Sequence, residues 1–148
     1  MKEIKKEERN ENLIQKLLRV WESSVRATHE FLSNEEILEI KKYVPKALGS
    51  ISHLIIDNDE NGNPIAFMEI EENKLEMLLI TSECRGKGIG KKLLLHGIEN
   101  YGVRDLAVNE DNPQAKAFYE HKGFKVYQRN ELDDQGKLYP VLYMKLER

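Results

Sequence analysis

Arg85-Gly86-Lys87-Gly88-Ile89-Gly90-Lys91-Lys92 combines four cationic side chains with three glycines at alternate positions. Glycine has no Cβ, so a ligand can approach the backbone closely there. An apolar run with strand character, Leu75 to Thr81, precedes this segment, and a helix-like run, Ile89 to Tyr101, follows it. The start of such a helix aims unpaired N–H groups and the positive end of its dipole at one point. The chemistry on offer is anion binding, most often of phosphate groups. Elsewhere, Tyr119, Glu76 and His29 supply a phenol, a carboxylate and an imidazole, the groups that move protons. His53, His96 and His121 lack metal-ligand spacing, and no metal is expected.

Charge and composition narrow the ligand. The net charge of −3 argues against a general nucleic-acid binder, which needs a basic face. The cluster of positive charge at residues 85–92 is local and suits a small anion better. With 148 residues and 40% apolar content, the chain is expected to form a single domain spanning 1–148. No apolar run reaches membrane-spanning length, and the charged N-terminus has no signal-peptide core. With Cys84 as the single cysteine, these features point to a cytoplasmic protein without a membrane partner.

The elements that must position these residues follow from periodicity. Leu13, Ile14, Leu17, Leu18, Trp21 and Val25 recur at helical spacing between Asn10 and Thr28. Ser33 with Glu36 three residues on forms a capping box, and its helix is expected to run through Val44 and end between Pro45 and Gly49. Ile51–Ile56 and Ile65–Ile70 read as a hairpin about Asn61-Gly62, followed by Leu75–Thr81 as a third strand. After the helix at Ile89–Tyr101, stopped by Gly102, comes a strand at Val103–Val108. Asn112 then caps a helix with Pro113 in its first turn. Phe124–Leu132 and Tyr139–Leu146 close the chain as strands. The order predicts a three-layer α/β domain: a mixed, mostly antiparallel sheet of about six to seven strands flanked by about four helices.

Three phosphate-loop patterns compete for the glycine segment. A Walker A loop needs glycine at 85 and Ser or Thr at 92, where Arg85 and Lys92 stand. The dinucleotide fingerprint needs its last glycine at 91, which is Lys91. The pattern Arg/Gln-x-x-Gly-x-Gly/Ala fits in full through Arg85, Gly88 and Gly90. At this point the chain resembles the GNAT superfamily of acyl-CoA-dependent N-acetyltransferases. Ile80 to Gly90 is similar to its coenzyme A loop. Val108-Asn109-Glu110-Asp111-Asn112, followed by Ala115, Phe118-Tyr119 and Gly123-Phe124, is similar to its second motif. Small, stand-alone bacterial-type members share the run Ser24 to Leu32.

The resemblance implies a sheet splayed between the strands at Leu75–Thr81 and Val103–Val108, with the pantetheine arm of acetyl-CoA along Leu79, Ile80 and Thr81. The pyrophosphate would rest on Arg85, Gly86, Lys87, Gly88, Ile89, Gly90 and Lys91, with Asn112 and Phe118 as further coenzyme contacts. Acetyl would pass to a primary amine by direct attack in a ternary complex. Tyr119 would be the proton donor to the departing thiolate and Glu76 the base, while Glu69, Glu71 and Glu72 read as solvated surface glutamates. His29 and Trp21 would border the acceptor, a small-molecule or peptide amine. An acyl-CoA-binding regulatory module without turnover is the alternative. The final strand, Tyr139–Leu146, is a candidate sheet edge for a homodimer.

Overall fold

The computed structural model describes residues 1–147. Asn10 caps the first helix, α1 (Glu11–Thr28), by accepting from the Leu13 N–H at 2.9 Å. Its apolar stripe, including Leu17, Trp21 and Val25, is buried. Ser33 and Glu36 form the expected capping box at α2 (Asn34–Lys41). That helix does not reach Val44. Pro45 has no N–H to extend it and its ring would clash with the preceding turn, so the chain bends at Lys42-Tyr43. It restarts as α3 (Val44–Ser50), with Pro45 in the first turn, where the missing N–H costs nothing.

The strands are β1 (Lys2–Glu3), β2 (His53–Asn58), β3 (Pro64–Glu71), β4 (Lys74–Ile80), β5 (Asp105–Asn109), β6 (Phe124–Asn130) and β7 (Val141–Leu146). Two further helices, α4 (Ile89–Tyr101) and α5 (Pro113–His121), follow β4 and β5. The seven strands form one sheet in the order β1-β2-β3-β4-β5-β7-β6, antiparallel except for β4 beside β5. The last strand is therefore interior, flanked by β5 and β6, and the expected edge at Tyr139–Leu146 is instead β6. Strand β7 begins at Val141, because Pro140 immediately before it cannot donate to a ladder.

Two apolar layers sandwich the sheet. On one side Met68, Leu93, Leu94, Leu106, Phe124 and Met144 pack between the strands and α4 and α5. On the other, Leu17, Trp21, Leu48, Leu54 and Phe67 pack beneath α1 and α3. Burying each such side chain is worth roughly 1.5–3 kcal/mol, which fixes the strand faces and hence what lines any gap in the sheet. There is such a gap. Strands β4 and β5 pair only at Lys74–Asp105 and Leu75–Leu106, then diverge. Beyond Leu75, the side of β4 facing β5 has no ladder partner, and its main-chain groups are available to an extended ligand.

Candidate active site

The splay opens a cleft of about 520 Å³ that runs from the glycine loop to the underside of α1. At the loop end, a 3-10 turn over Ser82–Cys84 leads from β4, and Ser23 of α1 braces it by accepting from the Ser82 N–H at 3.0 Å. Gly88, at φ +80°, is the N-cap residue just before α4 and takes a conformation that side-chain-bearing residues resist. The first bond into the helix is Lys92 N–H to Gly88 O at 3.1 Å, so the N–H groups of Ile89, Gly90 and Lys91 precede it. Gly90 matters for space: a Cβ there would lie 3.1 Å from Ile80 Cδ1 and 3.6 Å from Phe118 Cζ.

Arg85, Gly86, Gly88, Ile89, Gly90 and Lys91 line the loop end of the cleft, and Leu79 and Ile80 line its β4 wall. Arg85 Nη2 donates to Gln114 Oε1 of α5 at 3.4 Å, which draws the guanidinium across the loop mouth. Thr81 and Lys87 do not line the cleft. The Thr81 N–H is committed to Ile65 O at 2.9 Å, and its hydroxyl is buried without a partner. Lys87 stands exposed on the loop. Asn112 lines the opposite wall and caps α5, accepting from the Ala115 N–H at 3.3 Å.

Tyr119 and Phe118 reach the cleft from α5. Tyr119 is 8% exposed, and its ring packs edge-on against Phe118 and Phe124 at centroid distances of 5.2 and 6.0 Å. Burial raises its pKa above the ordinary phenol value, so the hydroxyl keeps its proton throughout the neutral range. Glu76 lies across the cleft on β4. The register passes from Glu69–Met77 to Ile70–Leu75, which leaves Glu76 as the extra residue of a β-bulge. Its carboxylate is half-exposed, 3.6 Å from Lys74 Nζ.

Trp21 and His29 line the α1 end of the cleft, as the sequence led us to expect, together with Ser24, Val25 and Thr28, which it did not single out. Thr28 Oγ1 donates to Ser24 O at 2.8 Å and lies 2.7 Å from His29 Nδ1. The single hydroxyl proton being used, Oγ1 accepts from Nδ1–H, which leaves Nε2 as an acceptor. Burial lowers the His29 pKa, so the ring is neutral at pH 7. Glu69 was misread from sequence as solvated. It is 3% exposed, because both faces of β3 are covered. The signal was present in Ile65-Ala66-Phe67-Met68-Glu69-Ile70, where apolar residues occupy both parities of the strand.

A splayed parallel strand pair, a glycine loop opening a helix at its head, and a tyrosine and a glutamate lining the gap define an acyl-CoA-dependent acyltransferase. The profile described as Acetyltransferase (GNAT) domain matches residues 22–147, and the chain belongs to that family. It is 39% identical over 128 residues to peptidyl-lysine N-acetyltransferase YjaB of Salmonella typhimurium, covering 86% of this chain and 88% of the relative. The solution structure of apo-form YjaB from Escherichia coli superposes with a TM-score of 0.84 at 35% identity, covering 97% of this chain and 94% of that one. PaiA N-acetyltransferase of Thermoplasma acidophilum, solved in complex with coenzyme A, shares the fold at TM-score 0.65 and 22% identity, over 98% and 99% of the two chains. The protein is thus an N-acetyltransferase, an enzyme that moves acetyl from acetyl-CoA to an amine, rather than a binding module without turnover. No helix among the described residues is long and apolar enough to cross a membrane.

Proposed function

We propose that the acceptor is the ε-amine of a lysine in a peptide or protein, acetylated by direct attack within a ternary complex in the cytoplasm, and that residues 1–148 act as one catalytic domain. The observation that carries this reading is the continuous cleft from the glycine loop to Trp21 and His29, with Glu76 and Tyr119 on opposing walls. The activity named for the YjaB relatives supports the acceptor class.

The pyrophosphate of acetyl-CoA binds the N–H groups at the start of α4, with Arg85 and Lys91 adding charge. The pantetheine arm pairs with the free side of β4 near Leu79 and Ile80. A lysine ammonium has a pKa of about 10.4 and must lose a proton before it can attack. Glu76 takes that proton, directly or through water. The nitrogen lone pair then forms the new bond to the thioester carbon, and the C–S bond breaks. Tyr119 donates a proton to the departing sulfur and recovers one from the acylated nitrogen, directly or through water, so that amide and thiol leave neutral. Trp21 and His29 flank the entering alkylammonium chain.

The test is release of coenzyme A thiol from acetyl-CoA with a panel of lysine peptides, free polyamines and small amines, with acetylated products located by mass spectrometry. Peptide acetylation at lysine, at rates above those for the small amines, is expected. Turnover with small amines alone would overturn the peptide assignment.

A further inference from the structure

Glu69 sits near the middle of β3, opposite Leu54 of β2 on one side and Met77 of β4 on the other. It shares the strand face of Phe67, within the apolar layer that α1 and α3 complete. Its Oε2 is sealed from solvent and has no hydrogen-bond partner. The obvious cation is Arg9, but it makes no ion pair with Glu69, and two of its three nitrogens are directed at main-chain carbonyls. Nε donates to Ile4 O at 3.0 Å, and Nη1 donates to Leu48 O at 3.1 Å and Ile51 O at 2.6 Å. A carboxyl that served only the fold would be paired, because an unpaired one in such a place is costly.

The charged groups that reach Glu69 are Glu76, from the β4 bulge, and Arg9, from the segment before α1; β2, α1 and α3 face it with apolar side chains. The bulge brings the cleft carboxylate next to a buried one on the neighbouring strand. Burial first, and the charge of Glu76 second, push the Glu69 carboxyl up to about 7.

We propose that Glu69 is a positioning residue for proton removal from the acceptor amine, acting through Glu76 from behind the β4 bulge. This rests on the assignment of Glu76 as proton acceptor. The ammonium proton passes to the Glu76 carboxylate, the freed lone pair attacks the thioester carbon as the C–S bond breaks, Tyr119 protonates the sulfur and recovers the second nitrogen proton, and Glu76 returns its own proton to solvent. With Glu69 ionised, a second negative charge stands behind Glu76 and favours the cationic acceptor at the cleft. With Glu69 protonated, Glu76 works alone.

The experiment is the pH profile of kcat and kcat/KM for wild type, Glu69→Gln, Glu69→Asp and Glu76→Gln, with acetyl-CoA and a lysine peptide. Glu69→Gln should coincide with wild type in mild acid and fall behind by about tenfold above neutrality, losing an inflection near 7. Glu69→Asp should restore part of the pH dependence. A Glu69→Gln profile parallel to wild type, whether equal or uniformly lower, overturns the inference. If Glu76→Gln is inactive while Glu69→Gln stays parallel, Glu76 keeps its role and only the inference falls. If Glu76→Gln is as active as wild type, the assignment of Glu76 falls and the inference with it. Independently of activity, the Glu69 carboxyl followed by carbon-13 NMR should titrate at lower pH in Glu76→Gln; an unmoved midpoint overturns the coupling.

Discussion

Tyr119 lines the cleft with its ring fixed by two aromatic neighbours. Tyr119→Phe keeps the packing and removes only the donor. We expect kcat to fall about 10²–10⁴-fold with calorimetric affinity for acetyl-CoA unchanged; an unaltered kcat would end the assignment. Glu69 offers a second prediction through stability. Its pKa rises on folding from the ordinary 4.5 to about 7, so the folded chain holds the proton more tightly than the unfolded one. Its contribution to stability is therefore full below the unfolded value, declines as pH rises through the folded value, and stays lost above it. The span corresponds to about 3 kcal/mol. Glu69→Gln, neutral at every pH, should match wild type in urea unfolding in acid and exceed it by up to about 3 kcal/mol above neutrality. Identical pH dependence in the two proteins would mean that the folded carboxyl is well hydrated. At this scale the place of the glycine loop on the cleft was legible because its pattern is local, and that of Tyr119 through the motif it shares with the family. Glu69 was legible only in part: apolar residues on both parities of β3 signal a covered strand, but the helices that cover it come from distant parts of the chain.

Helix ends were the most readable elements. Ser33 and Asn112, both expected as caps, each accept from a backbone N–H three residues on, as does Asn10, read only as the start of its helix; such caps are written in a few adjacent residues. The bend at Lys42-Tyr43 was missed because the apolar spacing continues through Val44 while Pro45 ends the hydrogen bonding. The β4 bulge was missed because strand alternation does not reveal register. Gly88 is where an element end and the site coincide. At φ +80° it has nothing within 4 Å of an added Cβ, so Gly88→Ala meets backbone strain without a clash. We expect a stability loss of about 1 kcal/mol in chemical denaturation. Acetyl-CoA binding should weaken with it, because the N–H groups that follow would turn away from a common point. Unchanged affinity by calorimetry would detach the helix start from the ligand.

Across the whole molecule, the cleft is a product of strand order. Strand β4 crosses through α4 to a parallel neighbour, and β7 returns between β5 and β6, which leaves the β4–β5 gap as the interruption in an otherwise continuous ladder. Element types were readable from local pattern. The interior position of β7 was not, since it depends on which edge the returning strand finds. The same long-range assembly closes the end of the cleft lined by His29. The Tyr139 hydroxyl donates to Glu36 Oε2, 103 residues away in sequence, while Oε1 of the same carboxylate accepts from the Ser33 N–H at 3.0 Å. The Tyr139 ring leans on Phe31 at 5.3 Å, and Phe31 on His29 at 5.4 Å. One carboxylate thus joins the α2 cap to the segment before β7 and, through two rings, steadies His29 at the cleft. Tyr139→Phe keeps the rings and cuts the tie to Glu36. Its effect should fall on the acceptor, raising KM for the peptide and lowering kcat/KM by up to about 10²-fold, with acetyl-CoA affinity unchanged. Loss of acetyl-CoA binding instead would mean that the tie supports the sheet as a whole, and unchanged kinetics would place the acceptor away from His29.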